Sequence, residues 1–144
     1  YLEKISAFPE EYTLKILEEL KTRMKKLSDF QELTEFFYDD IWELDIDLIV
    51  NKKMKVESLA DVKKSLKFVL SVLEDDNLDT DSPKKIKELF LWKIIEENFK
   101  NWQILWPARV ALCMQKYSPW ALELIHIFGK EKSMERIQKV LKQI

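Results

Sequence analysis

Apolar positions along this chain recur at the spacing of helix faces almost everywhere. Over 10–24, Leu14, Ile16, Leu17, Leu20 and Met24 fall on one side at a 3.6-residue period, which predicts an amphipathic helix. Ser28 stands as an N-cap with Gln31 in the capping-box position, and opens a second predicted helix carrying Phe30, Leu33, Phe36 and Phe37. The stretch IWELDIDLIV (41–50) reads equally well as helix or strand, and 41–57 stays unassigned. A third helix over 58–73 turns Leu59, Val62, Leu66, Val69, Leu70 and Leu73 inward.

EDDNLDTDSP (74–83) interrupts this periodicity. It is polar and acidic, and it closes on a Ser-Pro pair that supplies an N-cap (Ser82) and a first helical residue (Pro83). The expected organisation is a helical subdomain over 1–74, an acidic linker or loop over 75–83, and a second helical subdomain over 84–144. The helix after Pro83 holds Ile86, Leu89, Phe90, Trp92, Ile94 and Ile95, apolar on more than one face, which predicts burial between two neighbours. Trp106-Pro107 breaks the pattern. Ser118-Pro119 repeats the Ser-Pro helix start, with Ala121, Leu122, Leu124, Ile125 and Phe128 following. Gly129 sits where a C-cap is needed, and a last helix from about 132 turns Met134, Ile137, Val140 and Leu141 inward.

Composition agrees with an all-α fold. One glycine and four prolines in 144 residues leave little from which to build hairpin turns. No apolar run approaches the ~20 residues that span a bilayer, so no membrane association is expected. Cys113 is the single cysteine, which rules out an intrachain disulfide and fits an intracellular, cytoplasmic setting. The chain opens on Tyr1, and a fragment of a larger protein is expected. The net charge of −2 is unevenly spread: residues 83–144 carry 12 Lys and Arg against 6 Asp and Glu, whereas residues 1–82 carry 12 against 20. Only the basic C-terminal part could attract a polyanion; the plainer reading is lysines solvating outer helix faces.

Catalytic constellations are missing. One histidine and one cysteine make no zinc set, and the acidic pairs Asp39-Asp40 and Asp75-Asp76 lack calcium-loop spacing. His126 reads as a core or rim histidine, since spacing places no nucleophile or orienting carboxylate beside it. Cys113 follows RVAL and reads as a small buried hydrophobe. A single glycine excludes phosphate-cradling loops. What remains is binding, and here Trp102, Trp106, Tyr117 and Trp120 stand out: they gather near Arg109 at segment ends, where stacking surface can form. Arginine is rare in this chain, with Arg23, Arg109 and Arg136 set against 21 lysines. A guanidinium bonds two acceptors at once and stacks on rings, which an ammonium cannot do. Arg136, in SMERIQKVL, reads as a helix-capping or carboxylate-pairing residue; for Arg23 and Arg109 spacing alone does not decide.

LWPARVALCMQKYSPWALELIHIFGKEKSMERIQKVL (105–141) resembles the C-terminal end of bacterial-type glutamyl-tRNA synthetases, where a Pro-x-Arg-x-Ala-Leu segment precedes a Thr/Ser-Pro helix start, a Gly-Lys-Glu and a final Arg-containing helix. LKILEELKTRMKKLSDFQELTEFFYDD (14–40) resembles the preceding helical domain of the same enzymes. The resemblance covers both ends of the chain in order, and the middle is too divergent to compare. It implies two helical-bundle subdomains of the class I synthetase anticodon-binding type, and a glutamate tRNA anticodon loop as partner of a monomeric, cytoplasmic protein. By the same resemblance Arg23 reads the third anticodon base, favouring cytosine, while Arg109, Ser118, Pro119 and Ala121 lie against the first two bases. No metal or cofactor is implied for this region; ATP and Mg²⁺ belong to the parent enzyme's catalytic part. HIFG (126–129) and KEKSM (130–134) look superficially like that part's two signatures, but they fall on amphipathic helices with no strand before them. The chain departs from the family at Cys113-Met114 and Trp120, where glycines are usual, and Trp120 either stacks on a base or fills the vacated space. Lys93 is the nearest basic residue to a further family arginine. The competing reading is a helical protein–protein interaction domain without RNA affinity.

Overall fold

The computed structural model describes residues 2–21, 24, 29–39 and 43–144. Among them are eight α-helices, one 3₁₀ turn and no strand, as an all-α chain should show. The helices are α1 (Leu2–Ser6), α2 (Glu10–Leu20), α3 (Asp29–Tyr38), α4 (Ile46–Ile49), α5 (Leu59–Leu73), α6 (Pro83–Glu96), α7 (Asn101–Cys113) and α8 (Ala121–Leu141). Arg23 and the expected cap at Ser28 lie outside the described residues.

The chain divides into two compact units, Tyr1–Trp42 and Glu43–Ile144. In the first, Ile16 and Leu20 of α2 and Phe36 and Phe37 of α3 are buried as the periodicity predicts, whereas Leu14 is exposed. Phe8, Tyr12 and Tyr38 form an aromatic cluster with centroids 5.0–5.7 Å apart. Its polar edges are met as well: the Tyr12 hydroxyl donates to the Phe37 carbonyl, and Thr13 and Tyr38 share a 2.9 Å hydrogen bond.

The second unit surrounds α7, which is apolar around much of its circumference and packs against α4, α5, α6 and α8. Ile104, Ala108, Val110, Ala111, Leu112 and Cys113 are buried. Opposite them lie Val62, Leu66, Val69 and Leu73 of α5, inward as expected. The division does not fall in the expected 75–83 segment. α5 finds its partners in α7 and α8, so the acidic segment is an internal loop of the second unit. The loop is pinned in several places. Asp75 and Asp79 accept from the amides two residues on, Lys93 and Lys85 reach the same two carboxylates, and His126 Nδ1 lies 2.8 Å from the Thr80 carbonyl oxygen.

Several expectations need correction. The described part of 41–57 is neither a long helix nor a strand: α4 is capped by Asp45, and a 3₁₀ turn follows that is closed by a single Asn51–Val56 bridge. On α6 only Ile86, Phe90 and Ile94, four residues apart, are fully buried; Trp92 and Ile95 stay exposed, so α6 is covered on one side. Pro107 does not break α7 but lies inside it. Proline has no N–H to give the Gln103 carbonyl, and the buried Ser65 hydroxyl of α5 donates there instead at 2.8 Å. Gly129 interrupts α8 at φ 81°, ψ 175°, a backbone region open essentially to glycine alone.

Candidate nucleic-acid interface

Arg109 occupies the last turn but one of α7, two residues beyond the proline. Its side chain leaves the helix toward the 114–120 connection and ends there. Nη1 donates to the Gln115 carbonyl (3.1 Å) and to Ser118 Oγ (2.8 Å), and Nη2 donates to the Lys116 carbonyl (3.1 Å). The residue is only 5% exposed, and its guanidinium lies 4.7 Å from the Trp106 ring centroid. Trp106 is itself fixed by its indole N–H donating to the Leu48 carbonyl at 3.1 Å. A chain of contacts thus runs from α4 through Trp106 and Arg109 to the 115–118 loop. Burial draws the guanidinium's pKa below its ordinary value and the neighbouring Cys113 opposes this; an arginine so placed remains charged.

The loop needs such a holder because its start is conformationally unusual. Met114 closes α7 with φ 52° and ψ 38°, a left-handed cap of the kind glycine favours. Cys113, fully buried, donates its thiol back to the Arg109 carbonyl, and burial pushes the thiol pKa up. Ser118 does not cap a helix as expected. Its hydroxyl accepts from Arg109 and donates to the Pro119 carbonyl, and α8 begins only at Ala121. The cap comes from Glu123, whose carboxylate accepts the Trp120 backbone N–H at 3.0 Å. Arg136 serves the same region from below: it donates to the Leu112 carbonyl at 2.7 Å and packs over Phe128.

Beside this loop lies a cleft of about 290 Å³. One wall is α6, through Pro83 and Lys87; another is α7, through Trp102, Leu105, Trp106 and Arg109; the third is the start of α8, Trp120 to Glu123. Four of the residues singled out from sequence (Arg109, Ser118, Pro119 and Ala121) are thereby near one another, and Trp120 stands at the rim. Trp102 and Trp106, singled out in the sequence as stacking surface near Arg109, line this cleft, whereas Lys87 was not among the expected residues. Trp102, Trp106 and Arg109 recur at i, i+4 and i+7, so α7's share of the wall was legible as a helix face; Lys87 gave no signal, because only the fold brings α6 alongside. Among the described residues no three potential metal ligands come together, and no helix is long and apolar enough to cross a membrane.

Residues 1–141 match the model of a family described as anticodon binding domain. The glutamate–tRNA ligase of Lachnoclostridium phytofermentans is 37% identical over 131 residues, which cover 89% of this chain and 26% of that protein. That of Clostridium tetani is 39% identical over 127 residues, covering 87% and 25%. The ligase of Borreliella burgdorferi is 31% identical over 139 residues, covering 96% and 27%. A crystal structure of a glutamate tRNA ligase from Elizabethkingia meningosepticum shares the fold, with a TM-score of 0.72 at 23% identity over 94% of this chain and 25% of that one. The chain spans about a quarter of the length of the relatives it matches.

Proposed function

Because the chain belongs to the anticodon-binding domain family, we propose that it recognises the anticodon loop of glutamate tRNA as part of a glutamate–tRNA ligase, a monomer that joins glutamate to its tRNA with ATP. Anticodon bases are single-stranded and can unstack, so their edges meet donors and their faces meet rings. A loop held rigidly beside a cleft rimmed by tryptophans suits such a target.

The observation that carries this reading is the buried fork of Arg109 spanning Gln115, Lys116 and Ser118. It changes the role expected from resemblance. Three of the five guanidinium N–H groups serve the chain itself, so we assign Arg109 chiefly to holding the loop beside the cleft it lines. Ser118 and Pro119 form the held loop, and Ala121 and Trp120 contribute the α8 wall. Arg23 keeps its proposed task of reading the third anticodon base.

Arg109→Ala should weaken binding of a glutamate tRNA anticodon stem–loop by about 1–3 kcal/mol. Binding should also weaken as salt rises, log K falling linearly with log salt, because phosphate contacts release counterions. Salt-independent or undetectable binding of the unaltered chain would contradict the reading and favour a protein-binding domain.

A further inference from the structure

Two large indoles stand at the mouth of the cleft, each only about half covered. Trp102 is 44% exposed on the first turn of α7, and Trp120 is 54% exposed just before α8. Their rings are 5.3 Å apart, inclined at 53°. The α8 start takes only backbone from Trp120, since it is the main-chain N–H that Glu123 caps. Trp106, four residues after Trp102, is different: it is half-buried, hydrogen-bonded and under Arg109.

We propose that Trp102 and Trp120 form a stacking platform for one unstacked nucleobase of a single-stranded RNA loop; this deepens the anticodon reading and rests on it. Trp120, the more exposed ring, offers its face, and Trp102 is the positioning residue that keeps it from swinging away. The rings are too close to admit a base between them, so the base adds to the outside of the pair. Charge selects the class of partner. The cationic side chains on the cleft wall are Lys87 and Arg109, while its one carboxylate, Glu123, already accepts the Trp120 amide. Arg109 is buried and holds the loop, so the exposed Lys87 supplies the accessible charge, and an apolar ring face beside it fits a base attached to a phosphodiester. The cleft's 290 Å³ is near the lower end of small-molecule sites, about 300–1,000 Å³, and takes a single ring system.

Stacking platforms of this kind contribute about 1–3 kcal/mol per base on substitution by alanine, which is roughly a 5- to 140-fold change in affinity. The test is binding of a glutamate tRNA anticodon stem–loop, and of the same stem–loop made abasic at each loop position in turn. Trp120→Ala should weaken binding of the intact loop within that range with an unchanged salt slope. Trp120→Phe should keep most of the affinity, and Trp102→Ala should give a smaller loss. At one abasic position the Trp120→Ala loss should disappear, because the stacked base is already gone. Wild-type-like affinity of both alanine variants would overturn the proposal and leave the anticodon reading intact. So would an equal loss at every abasic position, or a Phe variant as weak as the Ala variant. If the unaltered chain binds no stem–loop, both fall together.

Discussion

A guanidinium can be buried in a protein only when acceptors replace the water it leaves. At Arg109 the acceptors are two loop carbonyls and a hydroxyl, spread too widely for one ammonium to reach. Arg109→Lys should therefore lower stability by about 1–3 kcal/mol and speed amide exchange across 115–118. Exchange rates equal to those of the unaltered chain would mean that the loop stands without its fork. One turn away, Cys113 predicts a pH dependence. Its thiol pKa is raised above the ordinary 9.0 by burial, so at alkaline pH the unfolded chain releases a proton that the folded chain retains. The thiol's contribution is fully present below pH 9.0 and is lost as pH rises from there toward the folded-state value. Denaturant unfolding between pH 8 and 10 should show stability falling with pH, and Cys113→Ala should flatten that slope. The thiol should also resist alkylation until the chain unfolds.

Among the elements, α7 gives the sharpest test. Pro107 frees the Gln103 carbonyl, and Ser65 of α5 answers it. Ser65→Ala should lower stability by about 1–3 kcal/mol by leaving a part-buried acceptor without its donor. Pro107→Ala restores an amide at that turn, so the serine should matter less in its presence. A double-mutant cycle in equilibrium unfolding measures this coupling, and strict additivity would contradict it. Gly129→Ala makes a second test. A Cβ there meets nothing within 4 Å, so any loss is backbone strain alone, about 1–3 kcal/mol. These two residues also mark how far the sequence was legible. Helix positions and inward faces could be read because apolar period is a local property: Val62, Leu66 and Val69 of α5, or Ile137 and Val140 of α8, are buried as expected. Pro107 read as a break because its compensating hydroxyl lies in another helix, with no trace near residue 107. Ser118-Pro119 read as a helix start for the same reason: the hydroxyl's actual partner, Arg109, is not the amide that local pattern would assign. Exposed Trp92 and Ile95 on α6 show the converse, apolar residues on a face that no described helix covers.

At the scale of the whole molecule, family membership was legible from the motif over 105–141, while the organisation of the middle was not. The loop over 75–83 has a linker's composition, yet it is tied down by Lys85 just beyond it and by Lys93 and His126, which the fold brings to it. That loop also predicts an acid-side effect. Asp75 is held below its ordinary pKa, first by the Asn77 amide and further by Lys93, so its contribution is present above about pH 3.8 and is lost as pH falls below it. Asp75→Asn should lower stability near neutrality and flatten its fall at acid pH. Of the proposed recognition surface, the sequence disclosed Arg109 and its loop but not Lys87 on the opposite wall, because charge on a helix surface is common and only tertiary proximity makes it part of a cleft. The central claim is that this surface reads anticodon bases and does more than attract polyanions. It is tested most directly by comparing dissociation constants for a glutamate tRNA anticodon stem–loop and for the same stem–loop with its three anticodon bases exchanged. The matched loop should bind tighter by at least about tenfold, some 1.4 kcal/mol, at every salt concentration. Equal affinities for the two loops would contradict it.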